Sequence, residues 1–181
     1  MIQRLSGLWT AAPVAFWLLS AACLYYVVMA VRLSVIDLRS HLLPNRIVLP
    51  SYVVAGVLLI SAAAAAAMSG ADPALGAAWA GVPGLGIPAG GVGLWLAYFV
   101  LHLIHPPGMG FGDVKLAGVL GMYLGCLGWP HVLAGTFAAF LLGGVWSVGI
   151  LALGRGTLRT AIPFGPFMLI GAGAAMVLLP A

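Results

Sequence analysis

The stretch "AAPVAFWLLSAACLYYVVMAV", residues 11–31, carries no charged residue from end to end. As a helix it is long enough to cross the hydrocarbon core of a bilayer. Arg4 precedes it, as a basic residue precedes a secretory leader, but the run outlasts the apolar core of a signal peptide. "LSAAC" at 19–23 has the outline of a lipoprotein cleavage site, yet the apolar run continues past it through "LYYVVMAV". The stretch is therefore expected to be a first membrane helix.

The rest of the chain has the same character. Of 181 residues, 64% are hydrophobic and 6% charged, and the mean hydropathy is +1.18. A water-soluble domain needs a charged and polar skin that this composition does not supply. With lipid as the solvent, every backbone polar group must be paired internally, which leaves helices or a closed barrel. The apolar runs are continuous rather than alternating, so helices are expected. The net charge of +4 does not point to nucleic acid, because the basic residues are scattered through loops and form no patch. Cys23 and Cys126 both lie inside apolar runs and read as small buried hydrophobes rather than a disulfide or metal pair.

The expected architecture is an all-α, polytopic bundle of about six transmembrane helices, at residues 12–34, 47–68, 90–105, 113–129, 131–153 and 161–179, in a single domain covering 1–181. The Gly/Pro-rich connection at 69–91 is expected not to be one regular helix. The fourth span is short, and Pro106 and Pro107 end the third. Arg32, Arg39, Arg46, Lys115, Arg155 and Arg159 fall at the loops of one side, and only Arg4 falls on the other. By the positive-inside rule both termini face the non-cytoplasmic side.

That topology sorts the acids. The chain has three, Asp37, Asp72 and Asp113. Asp37 follows the first span and Asp113 opens the fourth, so both lie at the cytoplasmic rim, while Asp72 lies at the other. Taken singly, each has a plain explanation. Asp113 suits a helix N-terminus, and Asp37 suits an ion pair with Arg32 or Arg39. Taken together, ionisable groups at membrane depth are costly and usually functional. Two carboxyls brought to one level share a proton, giving one acid and one base. The base takes a proton from a water that attacks a peptide carbonyl, and the acid protonates the departing group. Gly108, Gly110 and Gly112 alternate ahead of Asp113 and leave room beside it for an extended substrate chain.

Other chemistry is less well supplied. No Gly-x-Ser-x-Gly occurs. His102 and His105, three apart, share a helix face and with Asp113 form the one candidate metal set, although interfacial histidines at a helix end explain them as well. Neither a metal nor any other cofactor is expected. Lys115 anchors its helix at the interface or tunes the field. Pro163, Gly165 and Pro166, in "AIPFGPFM", make a proline turn or an irregular segment lining a cavity at the start of the last helix.

Three of these stretches share a resemblance. "GFGD" at 110–113 fits the Gly-x-Gly-Asp motif of intramembrane aspartyl proteases, and "GMGFGDVKLAGVLGMYLG" resembles the second aspartate motif of the type IV prepilin peptidases. "DLRSHLLPN" at 37–45 is similar to that family's first motif, with Pro44 and Asn45 opening the next helix, and "PFGPF" at 163–167 to its last-helix motif. The resemblance implies an aspartic endopeptidase of the bacterial inner membrane that cuts the basic leader from type IV prepilins or pseudopilins at the cytoplasmic face. It implies Asp37 and Asp113 as the catalytic pair and Gly110, Gly112, Lys115, Pro44, Asn45, Pro163, Gly165 and Pro166 as supporting residues. Its partners would be the bilayer, the precursors and, indirectly, the pilus or secretion machinery. Larger members add a cytoplasmic portion with paired Cys-x-x-Cys motifs, linked to N-methylation, and nothing here matches it. The chain is similar to the short members serving tight-adherence pili.

Two alternatives fit less well. Presenilin-like and signal-peptide-peptidase-like proteases carry Tyr-Asp and Pro-Ala-Leu motifs, whereas here Ile36 precedes Asp37 and "PFGPF" opens the last helix. A proton-coupled transporter would favour acids near mid-bilayer.

Overall fold

A computed structural model describes residues 1–40, 43–72, 75, 82, 84–105, 109–154 and 163–180. The expected loop positions His41, Pro106, Pro107, Gly108, Arg155 and Arg159, residues 73–74, 76–81 and 83 of the connection at 69–91, and residues 161–162 of the sixth span lie outside the described residues.

The regular structure among the described residues is all helix, with no strand. The elements are α1 (Ile2–Ala11), α2 (Pro13–Ser40), α3 (Asn45–Met68), α4 (Gly86–Ile104), α5 (Phe111–Leu127), α6 (Trp129–Ala152) and α7 (Gly165–Leu178). Four of them, α2, α3, α4 and α6, are long and apolar enough to cross a membrane, and the protein is a polytopic helical membrane protein. At 1.5 Å per residue, α5 and α7 reach only about 25 Å and 21 Å.

Three differences from the sequence reading have physical causes. First, residues 2–11 form a separate helix. Pro13 starts α2, whose first turn has no need of its missing N–H, and Trp9 of α1 packs edge-on against Phe16 at 4.8 Å. Second, α2 runs six residues beyond the expected end at 34, so Asp37 lies inside the helix rather than after it. No glycine or proline interrupts 32–40, and the buried stripe Ala15, Leu19, Ala22, Tyr26, Met29, Leu33, Asp37 keeps its three- and four-residue spacing to the end. Third, "GIPAGG" at 86–91, expected in an irregular connection, is the first part of α4. Pro88 falls in the first turn, where its lack of a donor costs nothing, and the glycines are held helical by what they pack against.

That partner is α5. An added Cβ on Gly90 would collide with the Gly121 carbonyl oxygen, one on Gly121 with the Gly90 carbonyl oxygen, and one on Gly125 with the Gly86 carbonyl oxygen. The two backbones touch along a seam of small residues, the close packing by which helices associate in lipid. A looser seam joins α6 to α7, where a Cβ on Gly171 would lie 2.6 Å from the Ala139 nitrogen. The remaining sides of α5 are covered by α3, α6 and α7, and the Tyr123 hydroxyl donates to the Ala22 carbonyl of α2 at 3.0 Å. From Leu116 to Leu127 every residue of α5 is buried. It is the core helix of the bundle, and its shortness matters less because protein, not lipid, surrounds it.

The seam makes a test. Gly121→Ala or Gly125→Ala drives a methyl group into backbone that cannot yield, and is expected to cost about 1–3 kcal/mol or more. Gly144→Ala and Gly149→Ala meet open space and should be neutral or slightly stabilising, as alanine favours helix. Thermal unfolding in detergent compares the two pairs; equal behaviour would refute the seam.

Candidate active site

Asp37 ends the buried stripe of α2 and is 4% exposed. Its Oδ2 accepts a hydrogen bond from the Gly165 backbone N–H at 3.1 Å. Gly165 is the first residue of α7, so the donor is one of the unpaired N–H groups of a helix N-terminus, aimed at a carboxylate as the helix dipole favours. Residue 165 must be glycine for this approach, since an added Cβ would lie 2.7 Å from Asp37 Oδ2. Pro166, buried, occupies the second position of α7, and Pro163, half-buried, precedes Phe164.

Asp113 sits in the first turn of α5, three residues after the N-cap Gly110. It does not cap the helix as the N-cap residue would. Its carboxylate instead reaches back to Gly110, with Oδ2 3.5 Å from where a Gly110 side chain would begin and the Gly110 N–H within reach, as the third residue does in a capping box, while its own N–H donates to the Gly110 carbonyl at 3.0 Å. Asp113 is close enough to Asp37 for the two charges to act on each other, and its charge also reaches the Tyr98 phenol. Tyr98, 1% exposed, stacks on Phe140 at 5.6 Å and faces Phe164 at 6.5 Å.

Leu43 sits between the starts of α5, which bears Asp113, and α7, which donates to Asp37. Its Cβ lies 2.9 Å from where a Gly112 side chain would begin, and its Cδ2 lies 3.5 Å from the same point on Gly165. The expectation that the glycines before Asp113 leave space for substrate is corrected at Gly112, because the chain's own Leu43 takes that space. Pro44 then caps α3 in an extended conformation and Asn45 begins it. Lys115 Nζ donates to Asn45 Oδ1 at 2.9 Å and lies 4.9 Å over the Phe111 ring, while Tyr52 of α3 donates to the Lys115 carbonyl at 2.6 Å. The described motif residues, from Asp37 to Pro166, therefore lie at one end of the bundle.

Asp72 does not join them. It accepts from Arg4 Nη1 at 2.6 Å and holds α1 to the end of α3. His102, weighed as a metal ligand, has its Nδ1 2.8 Å from the Met109 carbonyl oxygen, and its ring packs 5.6 Å from Phe111. The sequence reading did not single out Leu43, Tyr52, Tyr98 or Phe164. For Tyr98 and His102 a signal existed, since they are four apart and share the face of α4 that meets α5.

Known proteins resemble the chain over most of its length. A family model described as the type IV leader peptidase family matches residues 23–148. Among curated proteins, the chain is 33% identical over 160 residues to a prepilin leader peptidase/N-methyltransferase of Aeromonas salmonicida (strain A449), covering 88% of this chain and 49% of that one. It is 35% identical over 142 residues to the protein of the same name from Xanthomonas campestris pv. campestris, covering 77% and 44%. Against that of Escherichia coli (strain K12) it is 31% identical over 155 residues, covering 85% and 61%. The chain spans about half the length of the first two relatives. No solved structure matches it.

The contact at Gly165 gives a direct check on the site's packing. Gly165→Ala must displace the start of α7 from Asp37, and a loss of about 1–3 kcal/mol is expected. Gly173→Ala, further along α7, meets only ordinary contact with the Tyr26 hydroxyl at 3.5 Å and should leave the unfolding midpoint in place. Equal midpoints for the two variants would mean that α7 does not rest on Asp37.

Proposed function

The chain belongs to the type IV leader peptidase family, and from that premise we propose that it removes the leader peptide from type IV prepilins or pseudopilins, using Asp37 and Asp113 to activate water. What supports this reading is that the two acids lie at the same end of the bundle, near enough for their charges to interact, each beside a helix N-terminus: Asp37 on the Gly165 N–H and Asp113 at Gly110. The curated relatives' names speak of leader cleavage and of N-methyl transfer; only the first is proposed here.

Between them the two carboxyls hold one proton. The ionised one takes a proton from water as the water oxygen bonds to the scissile carbonyl carbon, and the protonated one gives its proton to the carbonyl oxygen. The resulting gem-diol returns a proton to a carboxylate as the C–N bond breaks, and the leaving nitrogen is protonated in the same step. One water is consumed, and an acid and an amine are released. Each proton moves between the carboxyls, the water and the substrate, so the cycle needs no further group.

The proposed setting is the bacterial inner membrane, with the acid-bearing end at the cytoplasmic face and both termini on the opposite side. Arg32, Arg39, Arg46 and Lys115 accompany the two acids, and of the described basic residues only Arg4 belongs to the other end. The positive-inside rule favours that orientation. A precursor consisting of a basic leader followed by an apolar helix would then present its junction at the depth of the acids. Residues 1–181 are proposed to act as one peptidase domain in the membrane.

Asp37→Asn and Asp113→Asn are each expected to lower cleavage of a co-expressed precursor by at least ~100-fold, the range of lost acid–base catalysis, while the protein still inserts. Asp72→Asn loses its pair with Arg4 at the far end but retains cleavage. Gel mobility of the precursor reads all three; normal processing by either of the first two would falsify the dyad. In the purified enzyme, chelators are expected to leave the rate unchanged. Loss of activity restored by added zinc would instead return His102 and His105 to the chemistry.

A further inference from the structure

One peptide group separates His102 from Asp113. The Met109 carbonyl oxygen lies 2.8 Å from His102 Nδ1. A carbonyl only accepts, so this nitrogen carries the hydrogen. The other end of the same peptide group is the Gly110 N–H; Asp113 Oδ2 lies 3.5 Å from where a Gly110 side chain would begin, which brings this N–H within the carboxylate's reach. The group is planar and rigid, and its oxygen and its N–H point in opposite directions. Holding the oxygen fixes the plane, and fixing the plane aims the N–H. The two hydrogen bonds also polarise each other through the shared amide.

The surroundings keep His102 in place. It sits in the last turn of α4, half-buried, with its ring against Phe111, the first residue of α5. Four residues earlier on the same face, Tyr98 is locked between Phe140 and Phe164. The glycine seam then fixes α4 against α5 from Gly86 to Gly125. The histidine is thus mounted on the helix most tightly joined to the one that bears Asp113.

We propose that His102 is a positioning residue for Asp113, acting through the Met109–Gly110 peptide group, which it orients so that the Gly110 N–H meets the carboxylate. The proposal rests on the reading of Asp113 as one of the two reacting carboxyls. His102 itself touches neither water nor substrate in this role. It sets the direction from which the carboxylate faces the scissile bond.

Side-chain geometry supplies the test. An asparagine Nδ2 is as many bonds from Cα as a histidine Nδ1, so His102→Asn keeps a donor within reach of Met109. His102→Gln carries its nitrogen one bond too far, and His102→Phe keeps the ring on Phe111 but has no donor. In membranes containing a prepilin precursor, His102→Phe and His102→Gln are expected to lower kcat about five- to tenfold, the loss of roughly one hydrogen bond. KM should stay within about twofold, because uniform binding is untouched. His102→Asn should retain at least about half of kcat. Full kcat in His102→Phe, an asparagine variant as impaired as phenylalanine, or an effect confined to KM would each overturn the proposal. Asp113→Asn, measured in parallel, separates the two levels. If it cleaves normally, the reading of Asp113 fails; if it is inactive while His102→Phe is not, only the positioning role fails.

Discussion

The backbone contact between α4 and α5 is the constraint on which the rest of the structure depends. In lipid, two helices gain nothing by hiding apolar side chains from water, so they associate through close packing of backbone on backbone. Gly86, Gly90, Gly121 and Gly125 remove every side chain that would hold the two axes apart. Once α5 is clasped this way, the other helices can wrap it, and all of its middle is buried. Its first turn then opens at one end of the bundle, beside the last turns of α2 and α4 and the first turn of α7. Asp113 is where it is because the seam holds α5 in the core.

The same arrangement explains how two acids are tolerated at membrane depth. A buried carboxylate without partners would be costly. Here each one meets a backbone N–H at the start of a helix, Gly165 for Asp37 and Gly110 for Asp113, where the partial positive charge of the helix end is greatest. The site's glycines serve that contact. Gly165 lets α7 come down on Asp37, and Gly112 lets Leu43 wedge between the two helix starts. The remaining acid, Asp72, is neutralised by Arg4 at the opposite end.

Much of this was legible in the residues and some was not. The long apolar runs could only be membrane helices, and the three motif stretches named residues whose described members lie at one end of the bundle. Asp37's burial could also have been read, because it continues the spacing of Leu19, Tyr26 and Leu33. α2 runs past its expected end at 34 because no glycine or proline follows before Ser40 to break the helix. The start of α4 was hidden because "GIPAGG" has poor helix propensity by itself; its conformation comes from α5, about 30 residues away in sequence, and tertiary contact overrides propensity. For the same reason Gly112 suggested room for a substrate, and its real neighbour, Leu43, belongs to a different segment. The short α1 carries too few residues to register as a span.

The central claim is spatial: the side chains of residues 37 and 113 meet. A short bifunctional thiol cross-linker tests it directly in native membranes, in a chain carrying Asp37→Cys and Asp113→Cys with Cys23→Ala and Cys126→Ala. The account predicts one intramolecular bridge that blocks later labelling of both thiols, and no bridge when Asp72→Cys replaces Asp113→Cys as the partner of Asp37→Cys. Free labelling of residues 37 and 113 after cross-linking, or equal bridging to residue 72, would contradict it.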